Sequence, residues 1–569
     1  MLHKNVTVKR PAKTKKSNNG KYTYVNFVTE TEYVKAVKGK HNGYTIDKHR
    51  KCVGRLVNED DDTIMYPSEQ YYKYFPNEVV KEKAPEFSDA LHIATVALLQ
   101  KIMDKIKVSE VLDNVYGEEA AIIKDLICYV IIKEASVMQH YPSYAFDHMG
   151  VSNKVFDDTN ISDLFKNRIR SADIEEFQVQ WNQVQTEKSK IYISYDSTNV
   201  GTRAEGIEMA EFGHAKDNPE IPQVNIGYAI KHSDSTPLFY ELYPGSIIDN
   251  THCKYMVDSA KGYGYDKVGF IIDRGQFSLS NILYFDDNEY DFVMMVKLNS
   301  KMIEKHLKES MIPLRVSNKY YIDEHEVFGL TIEGKLFEAD KKKRCIHIYY
   351  DSRRGNEERI NFLKQINKKE RLLAKKVAEK IRREEDLLSF KQHFILKFDV
   401  NGYLERYSQN EASIKETTDN MGFFVLITSE KMTAEEALSI YRDRDASEKM
   451  FDTIKTGFGY DTFRIHSQES LEAKTHIMFI ASIVRNHVFQ TSKENYRSDR
   501  KNFTVPAILH ELEKIMAIKD RGGEYSRRYA LTAKQKKTLA LFDIDEKYLN
   551  NVVKDLNKRM KQNKKTEKN

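Results

Sequence analysis

IYISYDSTNV (Ile191–Val200) reads as a β-strand that ends on a carboxylate, and VGFIIDRGQFS (Val268–Ser278) repeats the device. In the first, β-branched and aromatic residues carry the chain to Asp196. In the second, a wholly apolar run of the kind buried on both faces runs into Asp273. IPQVNIGYAIKH (Ile221–His232) and TPLFYELYPGS (Thr236–Ser246) read as two further strands, with turn signals at Asp217-Asn218-Pro219 and Asp234-Ser235. HCKYMVDSAKGYGY (His252–Tyr265) has helical spacing and is closed by Gly262 or Gly264. Ser278–Leu283 is a short helix, and DFVMMVKL (Asp291–Leu298) is a fifth strand. The order is therefore three strands, helix, strand, helix, strand, with an acid at the end of the first and fourth strands. Either Asp alone would read as a turn former or helix cap. If the two strands are parallel neighbours, both acids reach one sheet edge.

Working outward, TAEEALSIYRDRDASEKMFDTIK (Thr433–Lys455) reads as one long helix. Its residues are good helix formers, Thr433 and Glu436 make a capping box, and Gly457 stops it. Tyr441, Arg444, Glu448 and Lys455 are spaced so that, at ~100° per residue, they fall within ~60° of one another. Ile440, Met450, Phe451 and Ile454 cluster to one side as an anchor. A carboxylate presented among a phenol, a guanidinium and an ammonium suits a metal ligand beside a row of phosphate-binding groups. Three carboxylates, Asp196, Asp273 and Glu448, without thiolate or imidazole, select hard ions such as Mg2+ or Mn2+.

The strand order matches the ribonuclease-H-like fold, a mixed five-stranded sheet with helices. The motifs YDST and DRGQFS and the spacing Tyr-x2-Arg-x3-Glu-x6-Lys together resemble the DDE transposases of the insertion-sequence-four group. The resemblance covers about 190–300 and 422–489. It implies that Asp196, Asp273 and Glu448 are the catalytic, metal-holding triad, with two Mg2+ or Mn2+ ions. It also implies that Tyr441, Arg444 and Lys455 grip phosphates of double-stranded DNA at a cleaved element end. The implied activity is cleavage of insertion-sequence ends and transfer of the freed 3′-hydroxyls to target DNA, by a homodimer that pairs two ends. Two other readings stay open on the residues. One is a metal-dependent DNA nuclease on the same fold, the other a catalytically silent DNA-binding descendant of a transposase.

The rest of the chain sets boundaries. Its 569 residues are too many for one core, and 40% hydrophobic with 31% charged residues describe a soluble globular protein. The 90 basic and 85 acidic residues leave a net charge of +5, which permits a nucleic-acid partner without demanding one. Cys52, Cys128, Cys253 and Cys345 lie far apart with no CxxC pair, which suggests neither a disulfide framework nor a thiolate zinc site and leaves a reducing cytosol as the default. The beginning of the chain lacks the apolar core of a secretory signal, and Leu126–Ile132 and Ile477–Val484 are too short to span a bilayer. The expected location is the bacterial cytoplasm, associated with the nucleoid.

Residues 1–21, with seven Lys/Arg and no acid, read as a flexible basic arm. Residues 22–85 read as a small β-rich module with an Asn42-Gly43 hairpin turn, and 86–187 as a helical domain with Trp181 in its core and a possible role in DNA binding. The catalytic core occupies 188–299 and 421–495, interrupted by a β-rich insertion at 300–420. That insertion carries a charged helix at Glu357–Leu388 with a stripe of Leu373, Val377 and Ile381. A C-terminal helical region, 496–569, ends in a basic tail from Lys554 that reads as frayed.

Overall fold

The structure is a computed structural model. It describes all residues except 1, 4–5, 41, 59, 77–80, 83–86, 153–154, 186–189, 214–219, 248, 266, 299–302, 337–339, 341, 381–384, 443, 445–449, 451, 461–462, 500, 520–522 and 567–569. The chain divides into two compact units, Met1–Leu91 and His92–Asn569. The turn expected at 217–219, the stripe residue Ile381, the anchor Phe451 and the triad member Glu448 lie outside the described residues.

The first unit is a six-stranded sheet in the spatial order Thr14–Asn18, Thr23–Val34, Tyr44–Leu56, Ile64–Pro67, Val6–Lys9, Lys81–Glu82. Residues 6–9 and 14–18 are strands, which corrects the reading of 1–21 as a flexible arm. Their basic side chains are matched across strands: Arg10 and Lys16 meet Asp62 at 2.8 and 3.0 Å, and Lys15 meets Asp47 at 2.7 Å. Cross-strand acids cancel the local charge that made the segment look unfolded. The turn between the two longest strands is centred on Val37–Lys40, where Gly39 adopts φ +81°, rather than on Asn42-Gly43.

The second unit is built on a nine-stranded sheet. Its strands are β1 (Ile191–Gly201), β2 (Gln223–Lys231), β3 (Pro237–Pro244), β4 (Val268–Ile272), β5 (Asp291–Val296), β6 (Tyr321–Ile322), β7 (Val327–Gly334), β8 (Arg344–Tyr350) and β9 (Phe423–Thr428). The spatial order is β3-β2-β1-β4-β5-β9-β8-β7-β6. β1, β4 and β5 run parallel, and every other neighbouring pair is antiparallel. Mixed α/β architecture is thus as expected, but the insertion is smaller than 300–420. Strands β6 to β8 extend the same sheet, because β9 pairs with β5 on one side and β8 on the other. What stands apart is the helix Ser352–Ala378 with the hairpin Phe394–Phe398 and Leu404–Gln409, packed around Ile366, Leu373, Phe390 and Phe394.

Side-chain alternation divides this sheet into two cores. On one face Ile191, Ile193, Phe270, Ile272, Phe292 and Met294 pack under the helices Asp249–Gly262, Leu279–Asp287 and Glu304–Val316. On the other, Tyr192, Ile271, Val293, Tyr349 and Leu426 meet Ala434, Leu438 and Tyr441 of the helix Ala434–Arg442. The helix Gln468–Ser498 covers that second face over β2 and β3, where Phe479 packs on Tyr228 and Tyr240 at 6.1 and 4.9 Å between ring centroids. Helices at 94–105, 108–116, 120–133, 141–147 and 171–185 precede β1 within the same compact unit. Trp181 is buried there, its indole N–H donating to the Pro237 carbonyl at 2.9 Å. The end of the chain is helical through Thr566, not frayed, because Leu549, Val553 and Leu556 bury one stripe of it.

His476, on the helix Gln468–Ser498, is fully buried with Nε2 2.9 Å from the Tyr116 hydroxyl. It is a packed residue, and burial depresses its pKa to about 3. The unfolded chain therefore takes up a proton below pH ~6.5 that the folded chain refuses, and stability falls as pH falls through that window. Between pH 7 and 5 the wild type should lose about 2 kcal/mol more than His476→Phe. Chemical denaturation of the two proteins across that range measures the difference.

Candidate metal-dependent active site

The register of the parallel pair β1–β4 brings the first two acids together. Val268 opposes Ile191 and Ile271 opposes Ser194, a constant offset of 77 (268 − 191), and the same offset carries Asp273 onto Asp196. Alternation then decides the face. Asp196 directly opposes Tyr228 on β2, so it shares the face covered by the helices Ala434–Arg442 and Gln468–Ser498. Asp273 stands two residues beyond Ile271, on that same face.

The helix Ala434–Arg442 then aims its C-terminal end at the pair. Its start is the expected capping box: Glu436 N–H donates to Thr433 Oγ1 at 3.2 Å, and Thr433 N–H to Glu436 Oε2 at 2.8 Å. Ala434, Ala437, Leu438 and Tyr441 are buried, so the tyrosine read as part of a polar stripe is instead the last residue of the buried stripe. Its ring lies in the core, and its hydroxyl donates to Asp273 Oδ1 at 3.1 Å. Burial pushes the Tyr441 phenol well above the usual tyrosine range, with Arg444 opposing and the Asp273 carboxylate adding to the rise. Tyr441 is therefore a neutral donor at any working pH.

One unbroken helix through Lys455 is not what the described residues show. At Arg444 the chain is in a turn, its N–H bonded to the Tyr441 carbonyl at 3.1 Å, an i−3 bond of the kind that tightens a helix end. That turn sets the guanidinium between the two carboxylates. Arg444 Nη1 is 3.6 Å from Asp196 Oδ2 and 3.6 Å from Asp273 Oδ2, so these oxygens are at most 7.2 Å (twice 3.6 Å) apart. At 3.6 Å the attraction is Coulombic rather than a hydrogen bond. The guanidinium also lies 5.6 Å from the Tyr441 ring centroid. Asp196 keeps Oδ1 on the N–H of Ser197 at 2.8 Å. Lys455 is half-buried in the π-turn Thr453–Gly457, which ends at Gly457 as expected.

Asp196, Asp273, Tyr441 and Arg444 thus converge from three elements distant in sequence. Among the described residues two carboxylates share one guanidinium here, and the donors are oxygens. That set fits a hard divalent cation. The sequence reading missed a groove of about 1030 Å³ farther along β1, lined by Asn199, Thr202, Arg203, Arg464 and His466 among others. Arg203 and Arg464 are exposed there, with Glu205 the one acid among the lining residues, so the lining carries two cations against one anion. Only the position of Asn199, three residues after Asp196 on the same strand, hinted at it.

Comparison with known proteins gives one family. The family model described as "Transposase DDE domain" matches residues 188–484, more than half of the chain. No curated protein matches. A solved structure described as a cryo-EM structure of the piggyBac transposase synaptic complex with hairpin DNA aligns over 81% of this chain and 82% of its own. Its sequence identity is 9% and its TM-score 0.35, too weak a likeness to speak for the fold. The family match spans β1 through most of the helix Gln468–Ser498, and so contains every residue of the cluster just described. The chain belongs to the transposase DDE-domain family.

Proposed function

We propose that the protein is a DNA transposase of the insertion-sequence-four group, which cuts element ends and joins their 3′-hydroxyls to target DNA on a ribonuclease-H-like core. The observation that carries this reading is the placing of Asp196, inside β1, beside Asp273, just past the end of the parallel neighbour β4, with Arg444 held 3.6 Å from both. The order β3-β2-β1-β4-β5, with β1, β4 and β5 parallel, supports the fold assignment. Glu448, four residues after Arg444, completes the triad in this reading.

Asp196, Asp273 and Glu448 would hold two Mg2+ or Mn2+ ions. Bound there, these ions supply an activated oxygen nucleophile and charge neutralisation at the scissile phosphate. The chain's own residues do the rest. Arg444 offers a planar fork to a phosphate oxygen once DNA displaces it from the carboxylates, and Lys455 adds a point charge. Tyr441 holds the Asp273 carboxylate in one orientation by its hydrogen bond. Arg203 and Arg464 give the duplex a track leading away from Asp196. Double-stranded DNA is the substrate, and a homodimer pairs two ends.

Incubating the full chain with labelled element ends, unlabelled target DNA and Mg2+ tests the reading. Cleavage followed by joining of the labelled 3′ end is expected. Cleavage without joining would make the protein a nuclease, and neither activity would contradict the proposal. Tyr441→Phe keeps the ring in the core, so stability should change by no more than about 1 kcal/mol. Loss of the Asp273 hydrogen bond should slow end cleavage about tenfold. Melting curves and single-turnover cleavage of the same preparation separate the two effects.

A further inference from the structure

Away from the carboxylate pair, two histidines and a glutamate come together from distant parts of the chain. His92 precedes the helix Ala94–Lys105, His148 follows the helix Tyr141–Asp147, and Glu513 is the last residue of the helix Val505–Glu513. Backbone bonds hold the three segments side by side: His92 and His148 form a parallel bridge, Met149 N–H donates to the His92 carbonyl at 3.0 Å, and Ile93 N–H to the Ile515 carbonyl at 3.2 Å. The imidazoles stack with centroids 4.7 Å apart. One nitrogen from each ring and a Glu513 carboxylate oxygen all lie within 4.8 Å of one another.

The hydrogen bonding shows what this cluster lacks. His92 Nδ1 is 2.5 Å from the Glu513 carbonyl oxygen, which only accepts, so Nδ1 carries the proton and Nε2 has a bare lone pair. His148 Nδ1 faces the Tyr144 carbonyl at 2.9 Å and the Asp147 carboxylate at 2.5 Å, again acceptors only. Its Nε2 therefore presents a lone pair in the neutral ring, yet faces Glu513 Oε2 at 3.1 Å. His148 is 1% exposed. A nitrogen of each ring and a Glu513 oxygen lie within 4.8 Å of one another, and the proton that would join His148 Nε2 to Glu513 does nothing for His92 Nε2. A metal ion serves all three. The outer bonds are those that orient ligands: carbonyl or carboxylate acceptors fix both Nδ1 tautomers, and the Thr95 hydroxyl donates to Glu513 Oε1 at 2.6 Å.

We propose that His92, His148 and Glu513 bind one zinc ion. Two imidazoles and a carboxylate are a borderline N/O donor set that suits zinc over the hard ions expected at Asp196 and Asp273. Four-coordinate zinc with bonds of about 2.1 Å needs ligands about 3.4 Å apart, so small side-chain rotations close the set. Lys133 Nζ, 3.5 Å from Glu513 Oε2 and partly exposed, swings outward as the ion enters. Since His92 and Glu513 are only partly buried, a water reaches the fourth position. The ion would staple the start of the helical region to the segment around 505–515, so its effect is on stability.

The test uses the full chain without a histidine tag, stripped with chelator and kept in excess Mg2+ so that the oxygen site does not compete. One equivalent of Zn2+ should remain after gel filtration and raise Tm by about 5 °C. Co2+ in its place should give the intense visible bands of four-coordinate geometry. Zinc retention, Tm rise and bands should all be lost in His92→Ala and in Glu513→Gln. If Glu513→Gln fails to fold, the half-buried His92→Ala decides alone. Wild type that keeps no zinc and shows no Tm rise, or variants that keep as much zinc as wild type, would overturn the proposal.

Discussion

Replacing Asp273 or Asp196 with asparagine should reduce cleavage of a labelled element end on the order of 10³-fold or more, while DNA binding is kept or slightly strengthened. Asparagine preserves shape but removes the charge that a divalent ion needs. The two side chains flank the same Arg444 nitrogen at 3.6 Å, so neutralising either unbalances one shared site rather than two independent ones. The double variant should therefore be hardly worse than either single one, because groups that act as a unit lose their effect together. Binding should tighten slightly because a negative charge facing phosphate has gone. Single-turnover cleavage and a binding isotherm at fixed salt measure the two quantities on one preparation. Variants that retain a tenth of wild-type cleavage would argue that the carboxylates are spectators.

The second large effect concerns stability. Arg344 opens β8 and is 2% exposed, with its guanidinium shared between two carboxylates. Nη1 bonds Asp286 Oδ1 at 3.1 Å, Nη2 bonds Asp286 Oδ2, and Nε bonds Asp340 Oδ2 at 3.2 Å. Asp340 is 3% exposed and also accepts the Lys342 N–H at 3.0 Å. Removing the cation leaves the buried Asp340 carboxylate without its charge partner and Asp286 with Lys342 Nζ at 3.2 Å alone, so Arg344→Met should cost about 3 kcal/mol. Adding Asp286→Leu should recover part of it, because an apolar pair of similar volume avoids the desolvation that the ion pair must offset. Burial raises the Asp286 carboxyl, but Arg344, with Lys342 adding to it, outweighs burial and the net shift is downward. That contribution is present above the ordinary carboxylate pKa and fades as pH falls through the lowered one. Denaturant melts of the single and double variants at pH 7 and pH 4 measure both effects.

The sequence carried the part of the site that depends on local pattern. The strands that carry Asp196 and Asp273 were legible from their apolar runs, but only Asp273 follows a strand end: β1 does not stop at Asp196 and runs on to Gly201, because Ser197–Gly201 stay paired with β2. The capping box at Thr433 and Glu436 fixed where the next helix begins. What escaped is set by partners far away along the chain. Helix propensity runs unbroken through Arg444, but two carboxylates draw its side chain and the backbone turns there. Strand-like runs at Val327–Gly334 and Arg344–Tyr350 were visible, but nothing in them says that β9 would pair with β8 and enlarge the central sheet. Lys15 and Lys16 looked like a free basic arm because Asp47 and Asp62 are not their neighbours in sequence. His92, His148 and Glu513 could not be gathered from spacing at all, since the ends of that set are 421 residues apart.

The central claim is that one metal-dependent site, made of Asp196, Asp273 and Glu448, both cuts and joins DNA. Its most direct test compares wild type with Glu448→Gln on a labelled element end with target DNA and Mg2+. The account predicts that wild type cleaves and joins, while Glu448→Gln binds the end with similar affinity and does neither. Equal cleavage and joining by the two proteins would contradict it.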